Sequence, residues 1–157
     1  MSKPFAHRNL PRLLLQARES VMAHTRPGLR DQGLSDQQCR VLRVLGEDQG
    51  NGGNGVETGR IARDAFIIGP SLSGVLTRME RDGLIERERD ADDQRRTVVR
   101  ATREGLKRVA VLSRTIEAHY AWMEQQLGHA KLKQLYDLLD EVIALEVEST
   151  SLHTHTA

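Results

Sequence analysis

Arg87–Thr97 (RERDADDQRRT) holds four arginines and four acids, so the segment is close to neutral yet carries two kinds of chemistry. A guanidinium is a planar fork of N–H donors that fits phosphate and carboxylate oxygens two at a time. Arg95 and Arg96, with Arg100 just beyond, can grip a polyanion from such a turn. Asp90, Asp92 and Asp93 would be repelled by phosphate, so they need a structural task. Asp93 precedes Arg95 by two residues and can pair with it, which makes Asp93 the residue that orders the turn. A solvated turn is the plain alternative.

A second group lies just upstream, in PSLSGVLTRMERDG. Leu72, Val75, Leu76 and Met79 recur at i, i+3, i+4 and i+7, the stripe of a helix buried on one side. Its other side carries Ser71, Gly74, Arg78 and Arg81, with Ser73 and Thr77 nearby. Small residues let a helix approach another surface closely, and the two arginines reach outward for acceptors. The alternative is a solvated face with ordinary charges.

The elements that must position these groups follow from periodicity and punctuation. Leu13, Leu14, Ala17 and Val21 predict a first helix, which Pro27 and Gly28 are expected to kink or interrupt. Ser35 with Gln38 forms a capping box ahead of an apolar face made of Val41, Leu42, Val44 and Leu45. DQGNGGNG lacks the Lys-Ser/Thr ending of a phosphate loop and is predicted to be a flexible surface linker. ETGRIARDAF predicts a short helix, and Pro70 and Gly83 bracket the next. LIERER and TVVRA then predict two strands joined by the charged turn. Beyond TREG the spacing predicts two more helices, one marked by Leu106, Val109, Ile116 and Tyr120, the other by Leu132, Leu135, Leu139 and Val142. Two short helices followed by a hairpin are the order of a winged helix-turn-helix, whose second helix enters the DNA major groove. The fold class predicted is mainly α with a small two-stranded β wing. An arginine-bearing wing suits a narrow minor groove, where negative potential is concentrated.

Composition bounds the other chemistries. Hydrophobic residues make up 38% and aromatic residues only 3%, so the core must be aliphatic, which favours helices. Net charge is +1, so any affinity for nucleic acid must come from local clustering rather than overall attraction. A lone cysteine, Cys39, forms no internal disulfide and fits a cytoplasmic protein. No apolar run approaches the roughly 20 residues of a membrane span, and no signal-peptide pattern opens the chain. The six histidines include no i, i+4 pair, so no metal site or other cofactor is expected. No nucleophile elbow, paired-cysteine motif, Walker loop or dinucleotide fingerprint is present, and no enzyme is expected. A thiol sensor at Cys39 would need an exposed thiol of lowered pKa, and its place on an amphipathic helix reads instead as a small packed hydrophobe. A helical ligand-binding module without DNA activity would explain the helices but not the arginine-bearing hairpin.

DQRRTVVRATREG resembles the wing signature of the MarR family of bacterial transcription regulators: Asp93, Arg95, Val99, Thr102 and Gly105 match, while Ala101 replaces a usual Leu. PSLSGVLTRMERDGLIER resembles that family's recognition helix and the start of its wing. The likeness spans about residues 10–147. LLQARESVM and RPGLRDQGLSDQQ are similar to the subfamily that regulates homoprotocatechuate (3,4-dihydroxyphenylacetate) degradation operons. The resemblance implies a homodimeric repressor of an aromatic-compound catabolic operon, bound to a pseudo-palindromic operator and released by a small aromatic acid. It implies one domain over 1–157: dimerisation helices in 10–33 and 103–147, a winged helix-turn-helix lobe over 35–102, and a flexible tail over 148–157. DNA-binding residues would be Ser71, Ser73, Gly74, Thr77, Arg78, Arg81, Arg95 and Arg96. Around the effector would stand Arg18, Met22, Cys39 and Arg40, with Arg18 the first candidate for its carboxylate and Arg40 the second; each also reads as an ordinary ion pair. The subfamily usually carries an aromatic residue at position 39, and one is expected at 25. Cys39 and Thr25 therefore point to a larger or differently substituted acid, of hydroxybenzoate as well as hydroxyphenylacetate or homoprotocatechuate type.

Overall fold

Residues 5–145 are described by the computed structural model. Along them run α1 (Leu10–Asp31), α2 (Asp36–Gly50), β1 (Val56–Glu57), α3 (Thr58–Asp64), α4 (Gly69–Arg81), β2 (Ile85–Arg89), β3 (Thr97–Ala101), α5 (Arg103–Leu127) and α6 (His129–Ile143). The chain divides into two compact units within α5, after Glu117. The tail expected over 148–157 lies outside the described residues.

Asn9 opens α1 by accepting the N–H of Arg12 on its side chain at 3.0 Å. The interruption expected at Pro27–Gly28 does not occur: α1 continues through Pro27 to Asp31. Proline removes one backbone donor, but Thr25 and Leu29 on either side are buried, and that burial holds the turn helical. Gly28 has its own reason. A Cβ there would stand 3.1 Å from Leu112 Cδ1 and 3.5 Å from Thr115 Cγ2, so α1 and α5 approach closely and a larger residue would press on Leu112. The capping box of α2 is formed in both directions, with Ser35 Oγ accepting from Gln38 N–H at 3.1 Å and Gln38 Oε1 accepting from Ser35 N–H at 2.9 Å. Behind it Val41, Leu42 and Leu45 are fully buried.

The glycine-rich segment is on the surface but is not a free linker. Asp48 gathers it: the main-chain carbonyl accepts Gly53 N–H at 2.8 Å and Oδ2 accepts Gly55 N–H at 3.1 Å. The chain then makes a strand the sequence did not announce. β1 joins the expected hairpin to give an antiparallel sheet in the order β1-β3-β2, pairing Val56 with Val99 and Glu57 with Val98. A two-residue strand shows no alternation to read, and it exists only because β3 offers a free edge. The two expected strands pair as a hairpin, from Ile85 opposite Ala101 to Arg89 opposite Thr97.

The core beneath the wing joins Leu42, Leu45, Ile61, Leu76, Met79, Leu84, Ile85 and Val99. Thr102 fastens α5 to it. Its hydroxyl donates to the Gly83 carbonyl at 2.6 Å and accepts Gly105 N–H at 3.1 Å, capping the new helix. A Cβ on Gly105 would fall 2.3 Å from the Leu84 carbonyl oxygen, which explains why threonine and glycine occur together at that spacing. In contrast, α6 buries only Leu132 among its residues, leaving Leu135, Tyr136, Leu138, Val142 and Ile143 exposed. Leu10, Leu14 and Leu15 of α1 are exposed too.

Candidate nucleic-acid interface

Helix α4 is anchored by Leu72, Val75, Leu76 and Met79, each at most 3% exposed. Its opposite face, Ser71, Ser73, Gly74, Thr77, Arg78 and Arg81, is wholly exposed. Thr77 Oγ1 donates to the Ser73 carbonyl at 2.9 Å, which settles its rotamer. Arg78 lies back over Gly74, where a Cβ would come within 3.5 Å of its guanidinium. The two arginines of this face then differ. Arg81 closes a fork on Asp82, with Nε–Oδ1 at 2.9 Å and Nη2–Oδ2 at 3.4 Å. That hydrogen-bonded pairing holds the Asp82 carboxyl below its ordinary range and the Arg81 guanidinium above its own. Arg78 has no ion-pair partner among the described residues.

The wing repeats the contrast. Asp93 does not hold the Arg95 guanidinium as its spacing suggested; Oδ1 accepts the Arg95 backbone N–H at 3.0 Å instead. Asp90 does the same for Asp92 N–H at 2.9 Å. Two successive aspartates thus shape the turn by bonding the backbone two residues on, which is the reason aspartate favours turns. The turn is closed by Asp90 N–H on the Arg96 carbonyl and Arg96 N–H on the Asp93 carbonyl, both 2.9 Å. Arg96 itself pairs with Glu57 of β1 and approaches Asp90 at 4.0 Å. Arg100 binds the Asn54 carbonyl and lies 3.5 Å from Glu88. Arg87 donates twice to Glu80 Oε2, at 2.9 and 2.5 Å, tying β2 to the end of α4 and lowering the Glu80 carboxyl. That leaves Arg95 and Arg89 at the tip with no ion-pair partner among the described residues. Arg89 is exposed at the last position of β2 and was passed over in the sequence, where nothing in so dense a charge cluster marks which cations are left over.

The residues expected around an effector fall on α1 and α2. Arg18 Nη2 donates to Asp36 Oδ2 at 2.6 Å and Nη1 lies 3.5 Å from Glu19, so its fork is occupied by carboxylates of this chain. Met22, one helical turn along, is half-buried against the core. Cys39 is buried, and desolvation pushes its thiol pKa up, so it stays protonated and unreactive at neutral pH. Arg40 donates from Nη1 to the carbonyls of Ala65 at 2.6 Å and Phe66 at 3.0 Å, in the turn between α3 and α4. Its Nε lies 3.4 Å from the same Asp36 oxygen. Sequence reasoning missed Asp36, since an acid in the first turn of a helix looks like simple dipole complementation.

Comparison with known proteins agrees with this geometry. The MarR family model matches residues 32–96, the span from the end of α1 to the wing tip. The homoprotocatechuate degradative operon repressor of Escherichia coli is 40% identical over 139 residues, covering 88% of this chain and 90% of that protein. The regulator FarR of Neisseria gonorrhoeae is 38% identical over 134 residues, 85% of this chain and 88% of its own. Among solved structures, NadR in complex with 4-hydroxyphenylacetate superposes with a TM-score of 0.77 at 35% identity, covering 93% of this chain and all of that one. The relatives are named as transcription regulators, not enzymes.

Proposed function

Because the chain belongs to the MarR family of transcription regulators, we propose that it represses an aromatic-compound catabolic operon as a homodimer on a pseudo-palindromic operator. The observation that carries this reading is the pairing of two exposed, uncommitted arginines, Arg78 on α4 and Arg95 on the wing, with otherwise small or already ion-paired neighbours. α4 lies in the major groove, with Ser71, Ser73, Gly74 and Thr77 allowing close approach and Arg78 and Arg81 reaching phosphates or base edges. The wing sends Arg95 and Arg89 into a neighbouring groove, while Arg96 stiffens it from the side. Segments 10–33 and 103–147 form the dimer, covering the exposed leucines of α1 and α6, and 35–102 form the DNA-binding lobe. Two-fold symmetry then places two α4 helices about one helical turn of DNA apart.

The effector is a phenolic acid whose carboxylate engages Arg18, with Met22, Cys39 and Arg40 around it; the 4-hydroxyphenylacetate held by NadR supports that class. Small side chains at Cys39 and Thr25 favour a bulkier substituent. The test is retardation of DNA flanking the gene, with and without a panel of hydroxyphenylacetates and hydroxybenzoates. Retardation that falls steeply with salt and is relieved by one acid is expected; DNA that is never retarded overturns the reading. Arg18→Ala should bind DNA normally and respond to the acid at least tenfold less sensitively, measured as the concentration giving half relief.

A further inference from the structure

Arg40 stands between two structures of different purpose. On one side its Nη1 holds the carbonyls of Ala65 and Phe66. On the other its Nε faces Asp36 Oδ2, which takes the shorter bond from Arg18. The turn it holds is unusual. Phe66 has φ 52, in the left-handed region that costs a side-chain-bearing residue energy, and it is the non-glycine residue with positive φ among those described. Its ring is 85% exposed, so side-chain packing does not hold the conformation. Hydrogen bonds to its main chain do: Ile67 N–H donates to the Ala62 carbonyl at 2.9 Å, and the Arg40 guanidinium donates to two consecutive carbonyls. Gly69 opens α4 three residues later, so the geometry of this turn sets how the DNA-reading helix leaves α3.

The geometry points to Arg40 as a positioning residue for DNA reading, whose hold on the α3–α4 turn is governed by the Asp36 carboxylate that it shares with Arg18. This rests on the functional reading above. Two guanidiniums now divide one carboxylate, and Arg40 Nε is buried without a hydrogen bond. A ligand carboxylate on Arg18 supplies the second anion. Asp36 is then released to close on Arg40 and draws its guanidinium away from the Ala65 and Phe66 carbonyls. The strained turn loses its clamp, and α4 loses its fixed presentation. The coupling needs no long pathway, only one carboxylate with two competing partners.

The test uses the full-length protein, DNA flanking its gene, and 4-hydroxyphenylacetate, with DNA affinity read by retardation and ligand binding by calorimetry. Arg40→Gln is expected to lose about tenfold in DNA affinity with the salt slope unchanged, because Arg40 touches no phosphate; a lost phosphate contact would lower that slope by about 1. Arg40 also borders the effector, so weaker ligand binding is expected. Relief should shrink toward onefold even at ligand concentrations that calorimetry shows to saturate the variant. Adding Phe66→Gly should restore DNA affinity, since glycine takes a positive φ without strain. Asp36→Asn should keep both DNA and ligand binding but lose relief, and it decides the matter if Arg40→Gln does not fold. Wild-type affinity and relief in Arg40→Gln, a reduced salt slope, or full relief in Asp36→Asn would each overturn the inference while leaving the repressor reading intact. A wild-type protein that binds neither DNA nor ligand overturns both.

Discussion

Helices α4 and α6 carry apolar stripes of similar quality and meet opposite fates in one chain. In α4 the stripe Leu72, Val75, Leu76 and Met79 is closed off by α2, α3 and β2. In α6 Leu132 is buried while Leu135, Leu138, Val142 and Ile143 face solvent. An amphipathic stripe states what a helix needs, not which chain supplies it. Each side chain of that size gains about 1.5–3 kcal/mol on full burial, so a row left exposed is the mark of a partner surface. For α6 the proposed partner is a second copy of the chain.

The comparison is broken most directly from the α4 side. Leu76→Ala removes a buried side chain from a filled core and should cost about 2–5 kcal/mol of stability, read from denaturant unfolding. A cost under 1 kcal/mol would mean that the lobe does not rest on this stripe. The matching change on α6, Leu135→Glu with Val142→Glu, should leave the lobe folded but weaken self-association by at least about a hundredfold, near 2.7 kcal/mol. Sedimentation measures it, and an unaltered dimer would remove α6 from the interface.

The wing offers the same contrast at smaller scale, between the free Arg95 and the committed Arg96. Arg95→Ala should cost about 1–3 kcal/mol in operator affinity with the dimer intact. Arg96→Ala should cost less, because its guanidinium already belongs to Glu57 and Asp90. Equal losses in a salt-controlled titration would show that ion pairing inside the wing does not decide which arginine meets DNA.

The smallest effect is at acid pH. Glu80 is held below its ordinary 4.5 by its hydrogen bonds from Arg87. A depressed carboxylate contributes stability that is present above 4.5 and lost as pH falls through the folded value, so the link between α4 and β2 weakens only in acid. Glu80 is exposed and Arg87 half-buried, so solvent screens the pair, and Glu80→Gln should lower stability only slightly at neutrality and flatten the acid limb of a melting-against-pH curve. An acid limb as steep in Glu80→Gln as in the wild type would mean that the pairing with Arg87 does not set the acid response.

Much of the candidate site was legible before any coordinates. The period of α4 separated buried from exposed positions correctly, because a helix stripe and its complement follow from spacing alone. The capping box at Ser35 and the two strands of the hairpin were legible for the same reason: each is a rule of short sequence range. The partner of each charge was not. Asp93 could be seen to order the wing, but that it does so through the Arg95 backbone depends on the turn already being folded. Asp36 escaped notice because its two partners lie 18 positions away in α1 and four positions on in α2.

By itself the sequence determined the order and type of the main elements, the aliphatic core of the lobe, and the family to which the chain belongs. These follow from local propensity and periodicity, which act over a few residues. Only the tertiary structure decided that α1 runs through Pro27, that Val56 and Glu57 become a strand, which arginines remain free, and that Arg40 grips the turn before α4. Each of those depends on a group brought near by folding: burial around Thr25 and Leu29, the open edge of β3, the acids beside Arg81 and Arg96, and two carbonyls 25 and 26 residues along the chain.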